Sequence, residues 1–199
     1  MSLKRKRQNN IKNFIASNDV TYELTYNYKK YNSISEDTIR KIQSLSNIIV
    51  NEVSKEIYDT SIEYIKYVST VKDDGFCGEL AADYNEYYYK KSDAVIQLFK
   101  DDNILVGYSF INFDTETQHI VVNLICGNKK YKNVGTLILD MIYTIGKAIG
   151  YKKLTLTSTT DAVPFYLKKK FECINEKCPM ELDIKQSGGK RTTRKRKST

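Results

Sequence analysis

Asn128-Lys-Lys-Tyr-Lys-Asn-Val-Gly-Thr136 is the stretch that decides how the rest of this chain is interpreted. It follows the apolar run His119-Ile-Val-Val-Asn-Leu-Ile-Cys126, which predicts a strand. It leads into Leu137-Ile-Leu-Asp-Met-Ile-Tyr-Thr-Ile145, which predicts a helix. A short basic loop at a helix N-terminus forms an anion site, because unpaired backbone N–H groups and the positive end of the helix dipole point at one place. The stretch therefore predicts a ligand that carries phosphate.

The charge of the chain is unevenly distributed. The net charge is +8 over 199 residues, yet residues 1–12 carry five Lys/Arg and residues 185–199 carry seven, with no acid in either segment. The middle, 13–184, has 20 Lys/Arg against all 24 Asp/Glu and is net −4. The basic ends indicate either solubilising tails or patches for nuclear import or weak nucleic-acid contact. We predict three segments: a basic disordered N-terminal arm (1–17), one folded domain (18–185) and a basic disordered C-terminal tail (186–199).

The four cysteines form no recognisable metal or redox motif. No two are spaced as CxxC, and the single histidine, His119, cannot complete a Cys/His zinc set of ordinary spacing. We therefore expect free thiols in a reducing compartment, cytoplasmic or nuclear, and no metal. No apolar run is long enough to span a membrane, and no apolar region follows the basic N-terminal residues as in a secretory signal, so no membrane partner is expected.

The remaining periodicities predict one domain of mixed α and β structure. Alternation predicts a strand at 20–28, and helical spacing predicts helices at 35–49 and about 53–68, with 70–91 irregular. Three strand-like runs form an antiparallel meander: 93–99, 104–113 and 119–126. The later elements are a helix at 134–149 that ends at Gly150, a strand at 153–158, a short helix at 161–169 and a hairpin of 171–175 with 180–184. Because a helix joins the third meander strand to the strand at 153–158, those two strands should lie parallel.

This order of elements resembles that of the GNAT N-acyltransferase superfamily over about residues 20–184. One local motif is the family's pyrophosphate loop, Arg/Gln-x-x-Gly-x-Gly/Ala. Here it reads Lys130-Tyr-Lys-Asn-Val-Gly135, followed by Thr136. Gly135 is kept, Lys130 replaces Arg/Gln, and Asn133 replaces the first glycine. Asn tolerates positive φ better than other non-glycine residues, so it is compatible with the loop shape.

The second family motif is Ala-x-x-aromatic/Leu-Tyr-x-Lys-x-Gly-Phe. The chain reads Ala162-Val-Pro-Phe-Tyr-Leu-Lys-Lys-Lys-Phe171, so only the glycine is lost, at Lys170. The gap between the two motifs also suits the family's helix-strand-helix spacing. The resemblance therefore rests on both motifs together.

The resemblance implies a GNAT fold, an α/β (mixed α+β) domain. Its central sheet is mixed but mostly antiparallel, its fourth and fifth strands lie parallel and splay apart, and about four helices flank it. The implied activity is that of an N-acetyltransferase, which moves an acetyl group from acetyl-CoA to a primary amine by direct transfer in a ternary complex. The acceptor stays open between a protein lysine, a polyamine and another small amine such as an aminoglycoside. The net negative charge of residues 13–184 favours a cationic acceptor.

By the same resemblance, two backbone segments would hold acetyl-CoA. The segment that binds the pyrophosphate comprises Lys130, Tyr131, Lys132, Asn133, Val134, Gly135 and Thr136. Its lysines either add charge or are ordinary solvated lysines. The segment that binds the pantetheine and the thioester oxygen through its N–H groups is the bulged end of the fourth strand, Asn123, Leu124 and Ile125. Phe165, in the second motif, is also assigned to the cofactor site.

Two side chains are candidates for proton transfer. Tyr166 falls on the family position that donates a proton to the departing thiolate, and a phenol suits this role because its pKa is about 10, against roughly 8.5 for a thiol. The alternative is an aromatic ring that packs on the core. His119 falls on the fourth-strand position where histone-type members place a catalytic Glu. An imidazole can accept the ammonium proton directly or through water, and the alternative is an ordinary exposed residue at the start of a strand.

Two broader hypotheses stay open. A non-catalytic GNAT-fold binding module, with basic tails for nucleic acid or assembly, is favoured by the replaced glycines at Asn133 and Lys170. The tyrosines of 84–89 border the acceptor site in relatives and either contact the substrate or only pack. The abundance of Lys, Ile, Asn and Tyr, with the basic tail, is similar to proteins of large DNA viruses, which points to a host cell or a virion.

Overall fold

The computed structural model describes residues 13–70, 76–77, 80–101, 104–174 and 179–186. Its strands are β1 (Asn13–Phe14), β2 (Val20–Tyr26), β3 (Ile49–Val50), β4 (Ala94–Lys100), β5 (Ile104–Asp114), β6 (His119–Gly127), β7 (Tyr131–Lys132), β8 (Lys153–Thr157), β9 (Glu172–Cys173) and β10 (Pro179–Asp183). Its α-helices are α1 (Glu36–Gln43), α2 (Lys55–Thr70), α3 (Leu80–Lys91), α4 (Val134–Ile149) and α5 (Val163–Lys168). No helix among these residues is long and apolar enough to cross a membrane.

Eight of the strands form one mixed sheet in the order β3-β2-β4-β5-β6-β8-β10-β9. Neighbours pair antiparallel except β2 with β3 and β6 with β8, which are parallel. The remaining two strands, β1 and β7, form a separate parallel pair. The mostly antiparallel sheet with a parallel pair after the meander confirms the predicted fold class.

The sheet separates two apolar cores. On one face, α1 and α4 pack together over the central strands, and α4 contributes the fully buried Ile138, Ile142 and Ile145. On the other face, α2 and α3 cover β4, β5 and the end of β6. Each fully buried aliphatic side chain contributes about 1.5–3 kcal/mol. Burial on both faces therefore fixes the central strands, and with them the strand end on which the site depends.

Two local predictions are wrong. The helix predicted over 35–49 ends at Gln43, and Ile49–Val50 instead joins the sheet as β3. Residues 80–91, predicted irregular, form α3, and the described chain has five α-helices, in keeping with the predicted fold class. The run of consecutive tyrosines conceals the helix, because only Tyr88 and Tyr89 of that run pack against the second core.

The cysteines also differ from expectation. Cys77 and Cys126 form a disulfide that ties the segment between α2 and α3 to β6, with their Cα atoms 5.6 Å apart. Cys173 is disulfide-bonded as well. The prediction of free thiols is therefore wrong for these three residues. The pairing escapes sequence spacing because folding brings together cysteines that lie 49 residues apart.

The N-terminal boundary needs a correction too. The predicted disordered arm, 1–17, extends too far, because Asn13–Phe14 form β1 and Ile15 is only 1% exposed. Residues 1–12 of that arm lie outside the described residues, as does 187–199 of the predicted tail.

Candidate active site

Strands β6 and β8 lie side by side and then part. They pair as far as Val122 and Leu156, and no pairing between them follows. On the other edge of β6, the register with β5 shifts between Phe110 and Ile111, so Asn123 is the extra residue of a β-bulge. Within the described residues, the rest of β6 therefore has no strand partner on its β8 side.

Side-chain hydrogen bonds hold the bulge in place. The Asn123 amide donates to Ser92 Oγ at 2.8 Å and to Asn112 Oδ1 at 3.2 Å. Asn112 Oδ1 also accepts from the backbone N–H of Asp93, whose carboxylate accepts from the N–H of Phe113. Burial raises the pKa of the Asp93 carboxyl, and this effect outweighs the lowering by the hydrogen bond from Phe113 and by the charge of Lys30. The network joins β4, β5 and β6 and fixes the backbone at Asn123.

A cleft of about 250 Å³ opens where the strands part. Residues of α3, β6, β8 and β10 surround it, and all of its lining side chains are uncharged. The polar and apolar residues that line it include Tyr88, Val121, Asn123, Thr155, Thr157 and Pro179. Such a lining suits a neutral acyl group or a neutral amine better than a phosphate.

Asn128 closes the turn that follows β6. The residue is 6% exposed, and its N–H donates to the Val106 carbonyl at 2.8 Å. Its side-chain oxygen accepts from the N–H of Lys130 at 2.9 Å, and its carbonyl accepts from the N–H of Tyr131 at 3.1 Å. These bonds give the loop a defined shape before α4 begins.

The first turn of α4 presents backbone donors beside that loop. The N–H of Leu137 is the first in the helix to find an acceptor, the Asn133 carbonyl at 3.0 Å, and those of 134–136 have none within the described chain. The surrounding side chains that add positive charge are the exposed Lys129, Lys130 and Lys132. Free donors, the helix dipole and lysines therefore lie together at the place where the sequence predicts an anion site.

Two glycines let α4 approach the sheet. Gly107 and Gly127 are paired between β5 and β6. A Cβ at Gly107 would lie 2.4 Å from Val134 Cγ1, and one at Gly127 would lie 3.1 Å from the same atom. Larger residues at either position would push the first turn of α4, and its N–H groups, away from the strand end.

Both positions at which a motif glycine is replaced keep a left-handed backbone. Asn133 has φ of 76° and Lys170 has φ of 68°. At the end of α5, the N–H of Lys170 donates to the Leu167 carbonyl and that of Phe171 to the Tyr166 carbonyl, a Schellman pattern. The sequence therefore departs from the motifs in residue type while the backbone keeps the conformation that glycine favours.

The two motifs meet at Gly135. A Cβ there would lie 3.3 Å from Cζ of Phe165, so the ring of Phe165 in α5 packs against the start of α4. Tyr166, the next residue, is half-buried with edge-to-face contacts to Phe165 at 5.1 Å and Phe171 at 5.5 Å. Burial raises the pKa of Tyr166 to about 12. Its hydroxyl donates to no residue in the described part of the chain, so it is available to a ligand.

The profile of the family described as Acetyltransferase (GNAT) domain matches residues 68–181, which is more than half of the chain. The chain belongs to this GNAT acetyltransferase family. The matched segment contains the bulge of β6, the loop before α4 and the motif in α5, so the family assignment covers the whole candidate site.

Solved structures of GNAT proteins share the fold. Tetrahymena GCN5 aligns with a TM-score of 0.54 at 11% identity, over 65% of this chain and 90% of that one. A GNAT-family protein from Desulfovibrio desulfuricans aligns with a TM-score of 0.51 at 11% identity, over 63% and 94%. Nourseothricin acetyltransferase aligns with a TM-score of 0.42 at 14% identity, over 46% of this chain and 65% of that one. At these identities the first two likenesses, with TM-scores above 0.5, show the fold alone. No curated protein sequence matches the chain.

His119 lies apart from the cleft of this GNAT domain. It opens β6, half-buried, between Asp114 of β5 and Lys153 of β8. At 3.3 Å per residue it is about 13 Å along the strand from Asn123, on the face that Val121 presents to the cleft. His119 is therefore on the correct face for a base but does not line the cleft itself.

The other residues predicted for the GNAT site are distributed around these features. Leu124 and Ile125 follow the bulge, half-buried against the second and first cores respectively. Among the predicted tyrosines, Tyr88 lines the cleft, whereas the Tyr89 hydroxyl donates to Asp59 at 2.8 Å. That hydrogen bond is the main reason that the pKa of Tyr89 is raised to about 12, and it indicates a structural role for Tyr89. The side chain of Tyr84 lies outside the described residues.

Sequence reasoning missed the residues that shape the site from a distance. Ser92 and Asn112, which hold the bulge, carry no local signal because their partner lies on another strand. Asn128 had a usable signal, since Gly-Asn directly after an apolar strand is typical of a turn. Ile15 gave no sequence signal, because it contacts the loop across more than 100 residues of sequence.

Proposed function

We propose that this GNAT protein transfers an acetyl group from acetyl-CoA to a primary amine, directly and within a ternary complex. The observation that carries the proposal is the bulge at Asn123, beyond which β6 has no strand partner on the β8 side among the described residues, followed by a loop with free N–H groups. An acyl thioester with a phosphate-bearing tail needs those two kinds of site close together.

Backbone N–H groups, rather than side chains, would make most of the contacts to acetyl-CoA. Within the predicted segment 130–136, the free N–H groups of 134–136 would bind the pyrophosphate, because those of Lys130 and Tyr131 already donate to Asn128. The N–H groups of 123–125 would hydrogen-bond the pantetheine and the thioester oxygen. When bound, acetyl-CoA supplies an activated acyl group. The amine nitrogen bonds to its carbonyl carbon, the carbon–sulfur bond breaks, the electron pair leaves on sulfur, and the amine gives up one proton. Donors that are already in place stabilise the charge that develops on the carbonyl oxygen.

Tyr166 would stabilise the departing sulfur chiefly by donating a hydrogen bond. With its pKa near 12 against roughly 8.5 for a thiol, complete proton transfer to a thiolate would be uphill by about 5 kcal/mol. A hydrogen bond to the thiolate avoids that cost, and solvent can complete the protonation. The raised pKa also keeps the phenol protonated throughout the physiological pH range.

His119 would receive the amine proton through water. Its position about 13 Å along β6 from Asn123 is too far for direct contact with an amine at the bulge. A water chain along the face that carries Val121 would connect the two. The neutral cleft lining supports this route, because it accommodates an amine more readily once the amine has lost its charge.

The acceptor would be a cationic amine: a protein lysine, a polyamine or another small amine. The net −4 of residues 13–184 supports this class, because a negative body attracts cations before they are deprotonated at the cleft. Weak nucleic-acid contact through the basic ends stays a prediction. So do the cytoplasmic or nuclear location, the viral origin and the C-terminal boundary of the domain.

The alternative to an active acetyltransferase is a non-catalytic GNAT module, and experiment must distinguish the two. Its sequence support came from the two replaced glycines, and the left-handed φ at Asn133 and Lys170 weakens that support. A thermal-shift titration decides whether the site binds. Acetyl-CoA at 100 times its Kd should raise the free energy of unfolding by about 2.7 kcal/mol, roughly 5–10 °C in Tm for a chain of this size. Absence of any shift at millimolar acetyl-CoA would favour the module.

A CoA-release screen then tests transfer. Lysine peptides, polyamines and aminoglycosides would each be supplied with acetyl-CoA, and the free thiol of CoA would be measured against time. We expect release that depends on the presence of one acceptor class and yields the acetylated amine in equal amount. Binding without release for any class would contradict the proposed activity.

A further inference from the structure

The N-terminal strand β1 lies directly against the loop that precedes α4. Asn13 and Phe14 pair in parallel with Tyr131 and Lys132, and the N–H of Ile15 donates to the Lys132 carbonyl at 3.4 Å. The loop therefore receives backbone support from a segment that begins the chain's described part, more than 100 residues away in sequence.

Ile15 anchors this contact in the core. Its side chain is 1% exposed and belongs to the core between the sheet and α4, whereas the neighbouring Phe14 is 69% exposed. Removing Ile15 from the core would be costly, because burying an aliphatic side chain of its size stabilises the fold substantially. The position of β1 is thus fixed by the same core that fixes α4.

Asn133 links the loop to this strand through its side chain. It stands where the family motif has glycine, with φ of 76°. Its side chain makes no capping bond to α4; its Nδ2 instead donates to the Ile15 carbonyl at 3.2 Å. A glycine could adopt the same backbone but could not make this bond. The asparagine therefore adds a tie that the family glycine lacks.

We propose that β1 braces the phosphate-binding loop and that Asn133 is the positioning residue that couples the two. This inference rests on the proposed binding of acetyl-CoA at that loop. A loop whose donors are already ordered loses less freedom when the ligand binds, so the brace would act on affinity for the cofactor. It would not act on the transfer step, because neither Asn133 nor β1 touches the cleft at the bulge.

Asn133→Gly in the full chain tests the proposal, because two explanations predict opposite results. If the loop needs only a residue that tolerates positive φ, glycine should bind acetyl-CoA as tightly as asparagine or more tightly. If the side-chain tie braces the loop, titration calorimetry should show affinity weaker by about fivefold, equivalent to one neutral hydrogen bond. KM for acetyl-CoA should rise by a similar factor, with kcat and KM for the acceptor unchanged.

Phe14→Ala is the matched control, since it alters an exposed side chain of the same strand without touching the tie. Its affinity for acetyl-CoA should equal that of the unaltered chain. Hydrogen exchange of the amides at 129–136, measured without ligand, should be faster in Asn133→Gly and unchanged in Phe14→Ala.

The outcomes separate the brace from the proposed function. An Asn133→Gly chain with unchanged or tighter affinity and unchanged exchange would overturn the brace while leaving acetyl-CoA binding intact. If the unaltered chain bound no acetyl-CoA, the proposed function would fail. The exchange measurement would then still decide whether β1 holds the loop.

Discussion

Tyr166→Phe removes a single hydroxyl from the candidate site. That hydroxyl makes no hydrogen bond within the described chain, and its ring is held by Phe165 and Phe171 through contacts that phenylalanine keeps. The free energy of unfolding should therefore change by less than about 0.5 kcal/mol. Any larger change in turnover then reports on chemistry rather than on folding.

The size of the effect follows from the pKa of Tyr166. At about 12, the phenol is a poor proton source for a thiolate but remains a hydrogen-bond donor. A hydrogen bond to a charged acceptor contributes roughly 1.5–3 kcal/mol. Its loss from the transition state should lower kcat about 10- to 150-fold. We expect no pH-dependent loss of kcat from Tyr166 until well above pH 10.

Single-turnover acetyl transfer measures this effect without interference from product release. KM for acetyl-CoA should stay within about twofold, because the bond forms only as the sulfur departs. Tyr28→Phe is the matched control: it is half-buried, packs edge-to-face on Tyr58, and its hydroxyl likewise makes no hydrogen bond in the described chain. A Tyr166→Phe chain with the kcat of this control would refute the assigned role.

Three other perturbations test separate parts of the account. Lys170→Gly should raise the free energy of unfolding by about 1 kcal/mol in denaturant melts, because glycine adopts φ of 68° without a side-chain penalty; a loss of stability would contradict that view of the position. Asp93→Asn should increase stability at pH 7, because burial raises the pKa of this carboxyl above its unfolded value and penalises the charged form. The unaltered chain should gain stability as the pH falls through the raised pKa towards 3.8, and a variant with the same pH dependence would show that Asp93 is not its source. Reduction of the disulfide between Cys77 and Cys126 should lower the free energy of unfolding by up to about 4 kcal/mol, the loop-closure value for 49 residues, and an unchanged Tm after reduction would count against it.

Periodicity predicted the elements that are long and regular. The helix at 134–149 matches α4 residue for residue, and the meander strands match β4, β5 and β6 within one or two residues. These predictions succeed because burial of one face imposes a periodic apolar pattern, which is visible within the segment itself. The bulge at the end of β6 was placed by family resemblance, and the pairing register locates it at Asn123.

The hydrogen bonds that hold the bulge and the loop escaped sequence reasoning because their partners lie on other segments of the chain. Ser92 and Asn112 hold Asn123 across 31 and 11 residues, and Asn133 bonds Ile15 across 118. No local pattern encodes such contacts, because each residue taken alone is an ordinary polar or apolar residue. The position of His119 illustrates the same limit, since counting along the motif gave its place on β6 but not its distance from the cleft.

The most direct test of the central claim is a crystal structure of the protein with acetyl-CoA. We expect the thioester oxygen within hydrogen-bond distance, about 2.7–3.2 Å, of backbone N–H groups in 123–125. We also expect the pyrophosphate on the free N–H groups of 134–136 and the sulfur beside the hydroxyl of Tyr166. Acetyl-CoA bound with its thioester away from the parted ends of β6 and β8 would contradict it.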